Sequence, residues 1–123
     1  MIIDDTTLRR FLDQSPLAAC IRDADSTIQY AHAAMAKLLG RPLDSMIGRS
    51  SQSLMRSPLA HAFCHDSDDR VLRHGESVAY ERRWEDGEPG WWQIYKFAID
   101  QPRAARLIGM LAVDASEHVG ART

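Results

Sequence analysis

The stretch WWQIYKFAIDQPRAARLIGMLAVD, residues 91–114, reads as two β-strands joined by a turn. Aromatic and β-branched residues fill 91–99 and aliphatic ones fill 106–114, while the Asp-Gln-Pro-Arg segment between them carries turn chemistry. Both parities of each strand are largely apolar. Trp91, Tyr95, Phe97 and Ile99 oppose Trp92, Ile94 and Ala98, and Leu107, Leu111 and Val113 oppose Ile108, Met110 and Ala112. A half-solvated antiparallel strand alternates apolar with polar. The pattern therefore predicts a sheet covered on both faces, with helices on one side and an N-terminal helix or a second copy of the chain on the other.

Outward from this block, SVAYERRWE (77–85) supplies a third strand through the DGEPG turn. Near the N-terminus, Leu17, Ala19 and Ile21 alternate, RDADS (22–26) turns, and Thr27–Tyr30 returns as a second short strand. Leu8, Phe11 and Leu12 share one face of a capped helix that ends at Ser15-Pro16. A short helix carries Met35, Leu38 and Leu39 up to Gly40, PLDSMIG (42–48) makes one further turn, and a longer helix spans about 59–72. In that last helix HDSDDR (65–70) reads as a solvated face. The order helix, β-β, helices, β-β-β predicts an α+β fold, a five-stranded antiparallel sheet with short helices packed on one face and an N-terminal amphipathic helix.

At 123 residues the chain holds one domain with a real core. A net charge of −2, with no basic run longer than two residues, argues against nucleic acid as the main partner. No stretch is long and apolar enough for a membrane span, nor does MIIDDTT resemble a signal peptide. Cys20 and Cys64 are widely spaced, which predicts a reduced, cytoplasmic setting.

With its marks in order, the chain resembles the PAS sensor domain. FLDQSPLAACIRDADSTIQYAHAAMAKLLGR (11–41) is similar to the family's opening strand, acidic turn and Y-A-N-x-A helix start. PLDSMIGR, DDRVLRHGESV, WWQIYKF and VDASEH resemble its later segments. Two departures stand out: His32 replaces the usual Asn, and Ala115 replaces the usual Ile of the terminal motif. The resemblance implies residues 1–16 as a dimerisation helix, 17–118 as the PAS domain, and 119–123 as a tail toward an effector in a longer chain. The expected role is sensory or regulatory input to a histidine kinase, a diguanylate cyclase or a transcriptional regulator, with a ligand-free dimerisation module as the alternative. No catalysis is expected of this segment.

The resemblance also implies where a ligand and a partner would sit. Pocket candidates are Arg82, Gln93, Tyr95, Phe97, Phe63, Tyr80 and Leu111, with Arg82 favouring a small organic acid. The competing reading pairs Arg82 with an acid such as Asp23 or lets it snorkel outward. The homodimer interface is expected at Leu8, Phe11, Leu12, Ile94 and Met110, and Asp114 and Ser116 would anchor the exit of the last strand. No cofactor is predicted. GRSSQSLM (48–55) lacks the cysteine of flavin photosensors, and haem through His65 or His61 is the lesser alternative. His32, at the strand-to-helix junction, is expected to cap the helix through a neutral imidazole.

Overall fold

The computed structural model describes residues 3–50, 58–84 and 90–116, without the side chains of 58–63 and 84. Calls on Phe63, His61 and the 119–123 tail lie outside the described residues. The elements are α1 (Asp5–Gln14), β1 (Ala18–Arg22), β2 (Ile28–Ala31), α2 (Ala33–Leu39), a 3-10 turn (Leu43–Ser45), α3 (Pro58–His74), β3 (Val78–Trp84), β4 (Gly90–Gln101) and β5 (Ala104–Asp114). The five strands form one antiparallel sheet in the order β2-β1-β5-β4-β3, so the first and last strands of the chain's sheet lie side by side.

Local chemistry sets the boundaries. Asp4 caps α1 by accepting from the Thr7 N–H at 2.8 Å. Gly40, in the left-handed conformation at φ 67°, closes α2 and lets the Arg41 N–H reach the Ala36 carbonyl. The β4–β5 hairpin is tighter than the sequence suggests. Gln101 pairs with Ala104, leaving only Pro102 and Arg103 in the turn. Arg106, near the start of β5, donates to the Leu72 carbonyl at 3.1 Å, placing a cation at the C-terminal end of α3.

Register assigns each parity to a face. One row runs Ala18, Cys20 and Arg22 on β1, Ala112, Met110 and Ile108 on β5, Ile94, Lys96 and Ala98 on β4, then Tyr80 and Val78 on β3. These residues are mostly buried and face α2 and α3. The opposite row includes Ile21, Leu111, Gly109, Tyr95, Phe97 and Ala79. Gly109 is required there, because a Cβ would lie 2.4 Å from the Phe97 ring.

This register overturns two expectations. Ile94 and Met110 are buried core residues, so they do not face a partner subunit. Gln93, Tyr95, Phe97 and Leu111 belong to the outer row, so they do not line the space under the helices. The physical cause is Lys96. The resemblance implies Gln93, Tyr95 and Phe97 as the inward parity, whereas the structure buries the opposite parity with Lys96 1% exposed.

α1 lies across the outer face of β1 and β2. The Tyr30 hydroxyl, opposite Ile21 in the outer row, donates to Asp13 at 2.8 Å, and Arg9 stacks over the Tyr30 ring. Burial and then the Asp13 carboxylate push this hydroxyl up to about 12, so it stays a donor.

His32 occupies the N-cap position of α2 with extended backbone, but its side chain makes no cap hydrogen bond. Instead its Nε2 accepts from the Ala19 N–H at 3.2 Å, one residue beyond the last β1–β2 pair, Cys20 and Ala31. The ring is 2% exposed, stacks on Tyr30, and its Nδ1 has no partner among the described residues. The expected helix cap is thus a strand clamp, since the ring accepts from a β1 donor and makes no cap hydrogen bond to its own helix. It still works only as a neutral ring, because imidazolium has no acceptor nitrogen.

Two substitutions test the clamp. His32→Leu leaves the Ala19 N–H unsatisfied and should cost about 1–3 kcal/mol in urea denaturation. His32→Gln retains an acceptor and should recover most of that loss. Equal stability of the parent and His32→Leu would overturn the clamp.

Candidate functional site: a buried ion cluster beneath the sheet

The core-facing row carries two cations where a sheet normally offers only apolar groups. Arg22 ends β1 and Lys96 lies midway along β4, with β5 between them. Asp68 of α3 meets both. Arg22 donates bidentately to its carboxylate, at 2.5 Å and 2.8 Å, and Lys96 donates to Oδ1 at 2.9 Å. Lys96 Nζ also donates to Ser67 Oγ at 2.7 Å and approaches Cys64 Sγ at 3.5 Å. All three charged side chains are at most 6% exposed.

Helical spacing explains why one segment supplies every partner. Cys64, Ser67 and Asp68 stand at i, i+3 and i+4, so they share one face of α3 while His65 and Asp66 face solvent. HDSDDR is therefore not wholly solvated: Ser67 and Asp68 are buried, which corrects the sequence reading. His65 is exposed and does not point into the core.

The electrostatics follow from burial and sharing. Desolvation pushes the Asp68 carboxyl up, but the hydrogen bonds and charges of Arg22 and Lys96 outweigh it and hold it below the ordinary carboxylate value. Burial opposes the charge on Arg22 and on Lys96 too, yet Asp68 on Arg22, and nearby acidic groups on Lys96, keep both firmly protonated. Burial raises the Tyr80 hydroxyl, partly offset by Lys96, whose Nζ sits 5.7 Å from the Tyr80 ring centroid. Two cations thus share one carboxylate.

The cluster occupies a seam. On one side lies an apolar group built on α2, with Met35, Leu38, Ile94 and Met110; on the other lies a smaller one of Val71, Val78 and Ile108 beneath α3. Arg82 and Tyr80 share the core parity of β3 and are both half-buried. Asp23 is engaged elsewhere. It accepts from the Asp25 and Thr27 N–H groups and from Gln29, shaping the turn between β1 and β2.

The other sequence-selected residues lie apart from the cluster. Tyr95, Phe97 and Leu111 do line a depression, a groove of about 370 Å³ that also touches Ala79, and it opens on the outer face. At the sheet's end, the Ser116 N–H donates to Asp114 at 2.9 Å, and Ser116 Oγ accepts from the Trp91 N–H at 3.0 Å. Gly90 leaves room for that hydroxyl, because a Cβ would stand 2.7 Å from it. Arg22, Asp68 and Lys96 were not among the sequence candidates. Only Lys96 carried a local signal, as a charge within an apolar strand; Arg22 heads the polar RDADS turn and Asp68 lies within the polar HDSDDR run.

A family model described as PAS fold matches residues 12–120. The chain belongs to the PAS fold family. The PAS domain of Bordetella pertussis BvgS is 15% identical, with 95% of this chain and 90% of that one covered at a TM-score of 0.74. A sensory box sensor histidine kinase from Vibrio cholerae is 16% identical, with 89% of each chain covered and a TM-score of 0.69. The Vibrio cholerae VqmA dimer is 20% identical at a TM-score of 0.70, and the match covers 95% of this chain and 53% of that one. No curated protein sequence matches the chain.

The shared carboxylate makes an asymmetric prediction for this PAS domain. Asp68→Asn strands two buried cations and should lower stability by about 3–5 kcal/mol, whereas Lys96→Met leaves the matched Arg22–Asp68 pair and should cost far less. Because the folded carboxyl titrates below its unfolded value of about 3.9, its contribution is complete above that pH and disappears as pH falls through the folded value. The stability gap between parent and Asp68→Asn should therefore be flat at neutral pH and close in strong acid. Equal costs for the two variants would overturn the sharing.

Proposed function

We propose that this chain is the sensory or regulatory input domain of a signal-transduction protein and works as a homodimer joined through α1 and the outer sheet face. One observation carries the dimer: apolar groups on the face opposite the helices remain open to solvent. Phe11 is 74%, Leu8 51% and Tyr95 44% exposed, and the groove beside Tyr95 is walled by Phe97, Leu111 and Ala79. Leu12 is half-buried against the β1–β2 side, so α1 presents Leu8 and Phe11 outward. Exposed apolar groups of this kind mark contact sites more often than bare surface. VqmA, which has the same fold, is described as a dimer whose conformation shifts without its target DNA.

The contacts of the last strand support output through the C-terminal end. Ser116 joins the exit of β5 to the first residues of β4, so a change in sheet twist would reach any segment that follows. Effectors of a longer chain, of the kinase, cyclase or transcription-factor type, belong to this reading. It assigns no catalysis to the domain.

Sedimentation equilibrium on the parent and on a Leu8→Glu/Phe11→Glu double variant tests the dimer. The expected result is a dimer for the parent and at least a hundredfold weaker association for the variant. A monomeric parent at high concentration would overturn the reading.

A second reading, binding of a small organic acid, is favoured by Arg82, which sits half-buried on the core parity of β3 beside Tyr80. Thermal-shift screening of organic acids against the parent and Arg82→Ala checks it. Stabilisation of the parent alone is expected, and identical shifts in both would overturn an anion anchored at Arg82.

A further inference from the structure

The ion cluster also contains a thiol. Cys64 Sγ lies 3.5 Å from Lys96 Nζ, and neither side chain is more than 4% exposed. Among the described residues the cluster holds two cations, Arg22 and Lys96, against one carboxylate, Asp68. Asp68 is fully matched by Arg22 alone, through two hydrogen bonds. Lys96 is therefore the surplus charge, and its nearest groups besides Asp68 are a hydroxyl and a thiol.

We propose that Cys64 and Lys96 form an oxidation-responsive pair, which peroxide converts to a sulfenamide crosslink between α3 and β4. In the first step the Cys64 sulfur attacks hydrogen peroxide. An S–O bond forms, the O–O bond breaks, and water leaves, giving the sulfenic acid. In the second, Lys96 first gives one ammonium proton to solvent, and the neutral Nζ then bonds to Sγ as the S–O bond breaks. Of its two remaining protons one stays on nitrogen and one leaves with the hydroxyl as water. The sum is thiol plus ammonium plus peroxide giving sulfenamide, two waters and one proton.

Three features of the site favour this course. The ammonium beside Sγ stabilises the negative charge of a sulfenate once it forms, and the sulfenic sulfur then meets an amine at contact distance. Cys64 is 4% exposed, which disfavours bulky thiol reagents and glutathione. Finally, the crosslink removes the surplus positive charge and leaves the Arg22–Asp68 pair neutral in the core. Cys20, also buried, provides the internal contrast: the side-chain donor to it is the Arg22 guanidinium rather than an amine.

This chemistry does not depend on the dimer, so its failure and the failure of that reading are separable. The test is peptide mapping by mass spectrometry of the parent chain after hydrogen peroxide treatment, with and without later dithiothreitol. The expected product is a linked peptide pair containing Cys64 and Lys96, two hydrogens lighter than the separate peptides and released by dithiothreitol. Cys20→Ser should form it to the same extent, and Lys96→Arg at least tenfold less. Because the parent's own map decides the matter, a Lys96→Arg chain that fails to fold does not obscure the result. Cys64 recovered unreacted, or as sulfinic acid with Lys96 unlinked, would overturn the proposal. A linked pair that retains an oxygen atom would overturn the sulfenamide.

Discussion

Asp68 is the one acid on which the helix-facing side of the sheet depends. It reaches β1 through Arg22 and β4 through Lys96, and so spans β5, the strand lying between them. Among the described residues no backbone–backbone hydrogen bond connects α3 to the sheet in this way. Most of the apolar packing sits on α2 and on the lower end of α3, which leaves the middle of α3 secured chiefly by ions. A single carboxylate thereby sets the position of a seventeen-residue helix relative to two strands.

Such a cluster contributes little net stability compared with apolar residues of equal volume, since three charges must leave water. What it adds is discrimination. A slip of β4 by one residue against β5 would carry Lys96 to the outer face and put Tyr95 in its place, leaving Asp68 with one partner and the core with a mismatched ring. A slip of β1 would do the same to Arg22. Register on both sides of β5 is thus defined by charge as well as by the hydrophobic pattern. On the outer row shape also contributes, as where the Phe97 ring lies over the bare Cα of Gly109.

The element order and the antiparallel five-stranded sheet were legible from sequence, because turns, caps and strand composition are local signals. The faces of β4 and β5 were not. Both parities of WWQIYKFAI are apolar except for Lys96 and Gln93, and a rule that sends charge to solvent chooses the wrong one. The rule failed because the partner that makes burial tolerable, Asp68, is 28 residues away and surrounded by acids that do face water. HDSDDR looks uniform in sequence, and only the helical period separates Ser67 and Asp68 from their neighbours. His32 shows the same limit on a smaller scale. Its place at the head of α2 was readable, but its bond to Ala19 crosses from one strand to another, which no local pattern encodes.

The two faces of the sheet therefore invert the usual division of labour. Charge is enclosed on the side beneath the helices, and aromatic surface is left on the side away from them. An enclosed ion cluster is directional: moving α3 relative to β4 by even an ångström strains hydrogen bonds of 2.7–2.9 Å, whereas an apolar contact tolerates the same sliding. The outer face carries ties of its own, the Tyr30–Asp13 hydrogen bond and the Arg9–Tyr30 contact among them. β4 begins at Gly90 and Trp91, where Ser116 fastens the departing chain. The cluster, midway along β4, and the Ser116 contact at its start are thus two points on one strand.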